Sequence, residues 1–402
     1  MNKIHVIGVG ADLAELQNLA PTLKNIQLFV ASPKHHPLLA GYGVKCRAIT
    51  PLDECLEEIR ATEGEVAVLA SGDPLFYGIG ASLLRHFGEE DLLFYPGLSS
   101  IQRACALFKI PWHDAQLISL HGREANHIPG MILPHRKSLI LTDGRNSPNS
   151  IAREILNYLL LIEDKELTKR IELRVGENLG TEEEWLFTGS LQEAAETSFA
   201  PLNVLCVLIA EQKKLPSLGL IEEEICHSRG LITKNEVRAA SLHRLQLPTS
   251  GVLWDIGAGS GSVSIEAARL SPGLTIYSVE HKEEEIANIK ANIRKFATYN
   301  VIPILGRAAA LMEKLPLPDR IFVGGSGGEL GKIIETAKER LPVEGRIVIN
   351  AVLKKTALEA MFYLRALDLT CSSSKVSVSR IETDGNINDF NPITIIAGQK
   401  IS

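Results

Sequence analysis

The sequence predicts an α/β protein built as two successive domains, and three observations carry that expectation. Short apolar, β-branched runs alternate with amphipathic helical stretches along nearly the whole chain, the pattern of sheets covered by helices. The 402 residues exceed what one ordinary core accommodates. A charged, turn-rich junction, Glu211-Gln212-Lys213-Lys214-Leu215-Pro216-Ser217-Leu218-Gly219, interrupts the alternation. The boundary is therefore placed near residue 212, giving domains 1–212 and 213–402.

Composition narrows the function. Hydrophobic residues at 45% and charged residues at 22% describe an ordinary globular protein. A formal net charge of -6 leaves no broad basic surface, so nucleic acid is not an expected partner. No apolar run reaches membrane-spanning length, and residues 3–9 already read as a strand. Neither a membrane nor a secretory leader is expected, and the protein should work in the cytoplasm. The six cysteines (Cys46, Cys55, Cys105, Cys206, Cys226, Cys371) lack C-x-x-C or Cys/His spacing, which predicts buried reduced thiols and no metal. His35-His36, between Pro33 and Pro37, reads as a loop, because neighbours on an extended segment point apart.

In the first domain, strands are expected at 3–9, 27–31, 65–70, 91–95, 116–119, 138–142 and 200–209. Helices are expected at 13–19, 53–61, 80–87, 99–107 and 150–161. Ligands of such sheets bind at loops beyond strand ends, and here those loops are rich in turn residues. Gly8-Val9-Gly10-Ala11-Asp12 ends the first strand. Ala70-Ser71-Gly72-Asp73-Pro74-Leu75-Phe76-Tyr77-Gly78-Ile79-Gly80 follows another and opens a helix. Tyr95-Pro96-Gly97-Leu98-Ser99-Ser100-Ile101 repeats the layout, with a Pro-Gly turn and a hydroxyl N-cap. Leu120-His121-Gly122-Arg123 and Leu141-Thr142-Asp143-Gly144-Arg145 close two further strands with polar turns.

Together, S-G-D-P-x-F-Y-G, P-G-x-S-S, S-x-H-G-R and T-D-G resemble the tetrapyrrole methylase family, most closely its precorrin-6Y branch. The resemblance implies a two-lobed α/β domain with S-adenosylmethionine (SAM) in the cleft between its lobes. It places Gly8, Gly10, Gly72, Asp73, Pro74, Ser99 and Ser100 along that cleft. The first turn departs from the family's G-x-G-P-G-D by lacking the Pro-Gly pair. His121 and Arg123 suit a substrate decorated with carboxylates, onto which a guanidinium forks. A helix cap or a surface ion pair is the competing role for Arg123.

The second domain opens on Thr233-Lys234-Asn235-Glu236-Val237-Arg238, where Thr233 with Glu236 three residues on predicts a capping box and a helix start. As a lid ahead of the turn that follows, this segment would offer Lys234 and Arg238 to substrate carboxylates. An apolar run ending in Asp255 reads as a buried strand, Gly257, Gly259 and Gly261 as a tight turn open to a ligand, and 262–270 as a helix. Strands are also expected at 274–280, 301–305, within 318–328 and at 346–352, with a helix at 283–295. An antiparallel pair is expected between 375–381 and 393–397. Ser262 stands where a dinucleotide fingerprint requires glycine, which argues against a nicotinamide cofactor. Glu280, about twenty residues beyond the turn, is placed to accept hydrogen bonds from a ribose diol. The fourth strand exits into Gly324-Gly325-Ser326-Gly327-Gly328, small residues that leave room for something broad and flat. Enzymes methylating base amines carry an Asp/Asn-Pro-Pro-aromatic run there.

The D-I-G-A-G-S-G turn resembles the first motif of class I SAM methyltransferases. Together with T-K-x-E-V-R at 233–238, Gly306-Arg307-Ala308, F-V-G-G-S-G-G at 322–328 and Asn350-Ala351, it makes this half similar to the decarboxylating cobalamin-pathway methyltransferases of precorrin-6Y C5,15 type. That resemblance implies a Rossmann-like domain with a second SAM held by Thr233, Asp255, Gly257, Ala258, Gly259, Ser260, Gly261, Glu280, Arg307 and Ala308. It implies corrinoid contacts at Gly324, Gly325, Ser326 and Asn350, beside Lys234 and Arg238. For the whole chain it implies methylation of a precorrin-6B-type or cobalt-precorrin ring, at C5 by the first domain and at C15 by the second. It further implies loss of the C12 acetate carboxyl and a homo-oligomer, dimer or tetramer. The residues leave open another tetrapyrrole substrate, or a domain that keeps SAM only as a bound ligand. They also leave open the presence of cobalt, the order of steps and the proton donor.

Overall fold

The computed structural model describes residues 3–10, 19–122, 124–210, 217–228 and 232–401. Ala11, Asp12, all but the last residue of the helix expected at 13–19, Arg123, junction residues 211–216 and residues 230–231 lie outside them. By compactness the chain divides into two units. The first comprises Met1–Arg123, Lys137–Ala152 and Glu172–Leu208; the second comprises Glu124–Arg136, Arg153–Ile171 and Ile209–Ser402.

The first unit holds two five-stranded sheets, the lobes that the resemblance implies. In one, β1 (Ile4–Val9), β2 (Ile26–Val30), β3 (Lys45–Arg47), β4 (Glu65–Ser71) and β5 (Leu92–Tyr95) run parallel in the order β3-β2-β4-β1-β5. All six residues of β1 are buried, as a parallel strand covered on both faces requires. Its register, Val9 beside Ser71 and Ile7 beside Tyr95, brings the ends of β4, β1 and β5 close together. The other sheet orders β6 (Gln116–Ser119), β7 (Lys137–Leu141), β8 (Ile171–Glu177), β9 (Trp185–Ser190) and β10 (Asn203–Ile209) as β6-β7-β10-β8-β9. It is mixed: β6 and β7 are parallel, whereas β10 opposes β7 and β9 opposes β8.

Strands β3, β8 and β9 go beyond the expected set. Strand β3 has three residues, too few for a periodic signal, and β9 is a sheet edge with mostly exposed side chains. Strand β8 was legible: Ile171, Leu173 and Val175 are buried while Glu172 and Arg174 between them are not. His35-His36 is not a loop but the join of two helical turns, Pro33–His35 and His36–Leu39, each started by a proline near its first position.

The second unit is a Rossmann-like sheet of seven strands. Strands β11 (Ser250–Ile256), β12 (Gly273–Glu280), β13 (Val301–Leu305), β14 (Arg320–Val323), β15 (Arg346–Ala351), β16 (Ser372–Val376) and β19 (Ile393–Gln399) lie in the order β13-β12-β11-β14-β15-β19-β16. Strand β19 is antiparallel to both its neighbours. Between β16 and β19 a separate hairpin pairs β17 (Ser379–Ile381) with β18 (Ile387–Asp389). The strand expected at 375–381 is thus broken: only Lys375 and Val376 pair with β19. Arg380 lies in that hairpin. It is held by Glu222 at 2.5 Å and Glu236 at 2.9 Å and lies over the Phe390 ring.

The expected capping box does not form. Helix Asn235–Leu245 begins after Lys234, which caps it without a side-chain bond, and Glu236 is drawn to Arg380. Within the same unit His127 Nε2 donates to the Tyr299 carbonyl at 2.8 Å, and the Tyr158 hydroxyl donates to that of Val301 at 2.7 Å. All six cysteines are free; Cys55, Cys105 and Cys206 are buried as expected, while Cys46, Cys226 and Cys371 are partly exposed. Among the described residues no helix is long and apolar enough to cross a membrane.

Candidate active sites

Strand register builds the site of the second unit. Ile256 lies beside Val279 and Val323, and Glu280 beside Leu305, so four parallel strands end level. Backbone bonds then tie their exits together: Gly257 N–H to Val279, Gly306 N–H to Glu280 and Gly324 N–H to Ile256, each at 2.9 Å. A Cβ on Gly257 would stand 2.2 Å from the Gly325 carbonyl oxygen, and φ there is +64°, so two glycine loops touch where no side chain fits. Gly259, Gly325 and Gly327 face open space instead. A cleft with about 450 Å³ of empty space results, lined by Gly257, Glu280, His281, Gly306, Arg307, Ala308, Gly325, Ser326, Gly327 and Glu329 among others.

Glu280 organises this cleft. Its Oε2 accepts from Gly259 N–H at 3.0 Å, and its Oε1 accepts from His281 N–H at 2.8 Å and Lys282 N–H at 3.1 Å. Asp255 lies beneath the turn, fully buried, and does not line the cleft. Its Oδ2 accepts from the Ser264 hydroxyl at 2.6 Å, and Ser264 in turn bonds Ser278. Its Oδ1 is buried and has no hydrogen-bond partner among the described residues. Burial pushes this carboxyl up to about 7, with the nearby Glu280 charge adding to the rise and Ser264 opposing it.

Other expected residues of this half are distributed unevenly. Gly257, Glu280, Arg307 and Ala308 line the cleft, with Gly325 and Ser326; His281 and Glu329 line it without having been expected. Ala258, Gly259 and Gly261 form the turn itself, whereas Ser260 is buried and its carbonyl accepts from Asn292 at 2.9 Å. Thr233 and Gly324 lie outside the lining, and the Thr233 carbonyl accepts from Arg238 at 3.0 Å. Asn350 Oδ1 accepts from Ser241 at 3.0 Å. Lys234 pairs with Glu222 at 2.6 Å and lies over the Phe390 ring.

Arg238 is not available to a substrate. It is 1% exposed, ion-paired with Glu266 and bonded to the Leu220 carbonyl. A buried guanidinium needs a carboxylate, and Glu266 supplies it while also accepting from Gly219 N–H at 2.6 Å.

In the first unit, the ends of β4, β1 and β5 meet through glycine. A Cβ on Gly8 would stand 2.3 Å from both the Gly72 carbonyl oxygen and the Gly97 nitrogen, and one on Gly97 2.6 Å from Gly8. Gly97 belongs with Gly8 and Gly72 although only the latter two were expected. Gly10 follows the same strand end. Asp73 Oδ1 accepts from Leu75 N–H at 2.8 Å, folding the loop that Pro74 continues. Ser99 caps helix Ser100–Phe108: its Oγ accepts from Gln102 N–H and Gln102 Oε1 accepts from Ser99 N–H.

A wider cavity, with about 1450 Å³ of empty space, lies between the 75–85 segment and the edge formed by Ser119, His121, Thr142 and Asn203. Of the seven expected cofactor residues, Ser100 lines it; of the substrate residues, His121 does. His121 Nδ1 donates to the Thr142 carbonyl at 3.1 Å. Asp143 of the T-D-G turn ties the two loops, accepting from Gly122 N–H at 2.7 Å and Asn146 N–H at 2.7 Å; those backbone bonds hold its carboxyl below the usual range.

Comparison with known proteins follows the two halves. A family model described as Tetrapyrrole (Corrin/Porphyrin) Methylases matches residues 4–195, and one described as Precorrin methyltransferase domain matches 224–400. A precorrin-6Y C(5,15)-methyltransferase [decarboxylating] of Sinorhizobium sp is 32% identical over 395 residues, covering 96% of this chain and 93% of that protein. A probable cobalt-precorrin-6B C(15)-methyltransferase (decarboxylating) of Pyrobaculum calidifontis is 36% identical over 184 residues, 44% of this chain and 94% of that one. A crystal structure of precorrin-6y C5,15-methyltransferase from Geobacter metallireducens, 38% identical, covers 46% of this chain and 100% of its own, at a TM-score of 0.45.

Proposed function

Because the chain belongs to the decarboxylating precorrin-6Y C(5,15)-methyltransferase family of SAM-dependent C-methyltransferases, we propose that it methylates a precorrin-6B-type corrinoid, with or without cobalt, at C5 and C15. Removal of the C12 acetate carboxyl as carbon dioxide completes the reaction. Residues 1–212 carry the C5 step and residues 213–402 the C15 step and decarboxylation, each with its own SAM. The supporting observation is that each half has its own set of level parallel strand ends packed glycine against glycine.

The donor set of the second cleft fits the cofactor: open glycine backbone, two carboxylates and a neighbouring arginine suit a cation that carries a ribose. SAM supplies an activated methyl group on a sulfonium. Gly257, Ala258, Gly259 and Gly261 would hold its amino-acid end, Glu280 its ribose, and Arg307 with Ala308 its adenine. Asp255 and Ser260 act from beneath, by fixing the turn. In the first unit Gly8, Gly10, Gly72, the loop of Asp73 and Pro74, Ser99 and Ser100 would do the same work.

A reduced meso carbon of the macrocycle is enamine-like and already nucleophilic. The chain's task is then orientation, which supplies about 7–11 kcal/mol in good cases. The electron pair left by decarboxylation passes into the conjugated ring. Gly325 and Ser326 wall the pocket in which the departing carboxylate loses water, with Gly324, Asn350 and Lys234 as further substrate contacts; His121 serves the first unit, and Arg123 stays with it as an expectation outside the described residues. A cytoplasmic location and a homo-oligomer are part of the same reading.

Calorimetry with SAM should resolve two sites on the intact chain. Incubation with SAM and the reduced, ring-contracted precursor should give, by mass spectrometry, a ring with two added methyl groups and one carbon dioxide fewer. A single site, or a ring returned unchanged, removes the proposal.

A further inference from the structure

We propose that Arg85 is the specificity residue of the first unit's cavity, reading a carboxylate on the rim of a flat, largely apolar ring. The inference deepens the corrinoid reading and rests on it. Three observations carry it. The first is charge: among the described residues that line this cavity, none is acidic, and the cationic side chain is Arg85. The chain as a whole has 48 acidic against 42 basic residues, so a cavity walled without a single carboxylate is set apart from its surroundings.

The second observation is availability. Arg85 sits in the last turn of helix Gly80–His86 and donates from Nη2 to the Ser82 hydroxyl at 3.1 Å. That bond orients the guanidinium, yet no carboxylate partners it among the described residues. Across the cavity the side chains of Thr142, Asn203 and His121 already hold hydrogen bonds. The Thr142 hydroxyl donates to Asn203 Oδ1 at 2.6 Å, Asn203 Nδ2 donates to the Ala200 carbonyl at 2.7 Å, and His121 Nδ1 donates to the Thr142 carbonyl. Among the described residues Arg85 therefore keeps a donor fork that no carboxylate occupies, and a fork matches a carboxylate.

The third observation is the platform between these walls. Leu75 is 52% exposed, Tyr77 47% and Leu202 57%, and all three line the cavity with Phe76. Apolar side chains exposed together inside a concavity mark a ligand face, and here that face is broad. A ring that spreads over these side chains carries its acid groups to the edge, where Arg85 stands.

The test is steady-state kinetics of C5 methylation with the full chain, SAM and the reduced corrinoid precursor, comparing the wild type with Arg85→Ala and Arg85→Lys. Arg85→Ala should raise KM for the corrinoid roughly ten- to a hundredfold with kcat at saturation nearly unchanged, the range for losing a bond to a charged partner. Arg85→Lys, which keeps the charge without the fork, should recover part of the loss. SAM affinity at both sites should not move, and neither should C15 methylation assayed on a ring already methylated at C5. An unchanged KM in Arg85→Ala, a fall in kcat alone, or an equal loss of SAM binding overturns the inference while leaving the corrinoid reading intact. A wild-type chain that leaves C5 unmethylated sinks the reading instead, whatever Arg85 does.

Discussion

The cleft of the second unit and the cavity of the first both lie at the ends of strands, yet they are lined with opposite charge. The cleft carries Glu280 and Glu329 among its walls, beside Arg307 and His281. The cavity carries Arg85 and His121 and no acid among its described lining, with about three times the empty space, 1450 against 450 Å³. Glycine works alike in both units: at Gly257 with Gly325, and at Gly8 with Gly72 and Gly97, it lets neighbouring strand exits touch backbone to backbone. Sheet geometry thus provides a place for a ligand, and the side chains around it decide the ligand's sign. Carboxylates suit the ribose and sulfonium of a cofactor; in the first unit, Arg85 among the described lining, beside an apolar floor, suits the acid edge of a ring.

Replacing the glycines tests whether the two sites are separate. Gly257→Ala adds a Cβ 2.2 Å from the Gly325 carbonyl oxygen at a residue whose φ is +64°, and should abolish the SAM isotherm of the second unit and C15 methylation with it. Gly8→Ala, with contacts of 2.3 Å, should do the same to the isotherm of the first unit and to C5 methylation. Calorimetry of each variant should still show the other site. Loss of both isotherms from either substitution would break the comparison, because the sites would then be one folding unit rather than two independent ones.

A second contrast lies between two arginines, and it separates what the sequence shows from what it conceals. Arg238 is surrounded by a legible motif, yet its partner Glu266 lies 28 residues further along the chain, and burial turns both inward. Removing one member of a buried pair costs about 3–5 kcal/mol. Arg238→Met should therefore lower the thermal midpoint of the second unit, whereas Arg85→Met should leave stability alone and weaken corrinoid binding. Differential scanning calorimetry beside a binding titration distinguishes them, and an Arg238→Met chain of undiminished stability would return that residue to the substrate.

Features set by neighbours in sequence were readable in advance. The glycine turn, the Ser99 cap and the placement of Glu280 and Arg307 at strand ends all follow from local rules. Long-range pairing hid the rest. Arg380 reaches back 158 residues to Glu222 and also engages Glu236, the residue expected to close the capping box, while the strand expected at 375–381 gives way to a hairpin. Arg85 and Glu329 enter their sites only through the way elements pack, and no spacing in the chain announces that.

A last effect, spread over several pH units, concerns the acid hidden below the second cleft. Asp255 in the folded chain is pushed up to about 7 by burial, against about 3.9 for an unperturbed aspartate. Between those values the folded state holds a proton that the unfolded state has lost. Stability contributed by this group is therefore present at low pH, falls as pH rises through the window and levels off above about 7, by no more than about 1.4 kcal/mol per pH unit. Asp255→Asn removes the titration, so the difference in thermal midpoint between wild type and variant should change with pH from 4 to 7, while slopes from other carboxylates cancel. Among the described residues Oδ1 has no donor, and a buried carboxylate oxygen without one is costly when charged, which agrees with that direction. If the difference between the two proteins were flat across that range, Asp255 would have to be ionised already. A negative charge would then lie beneath the glycine turn, close to Glu280, throughout that range, and the second unit would hold a buried anion under its cofactor cleft.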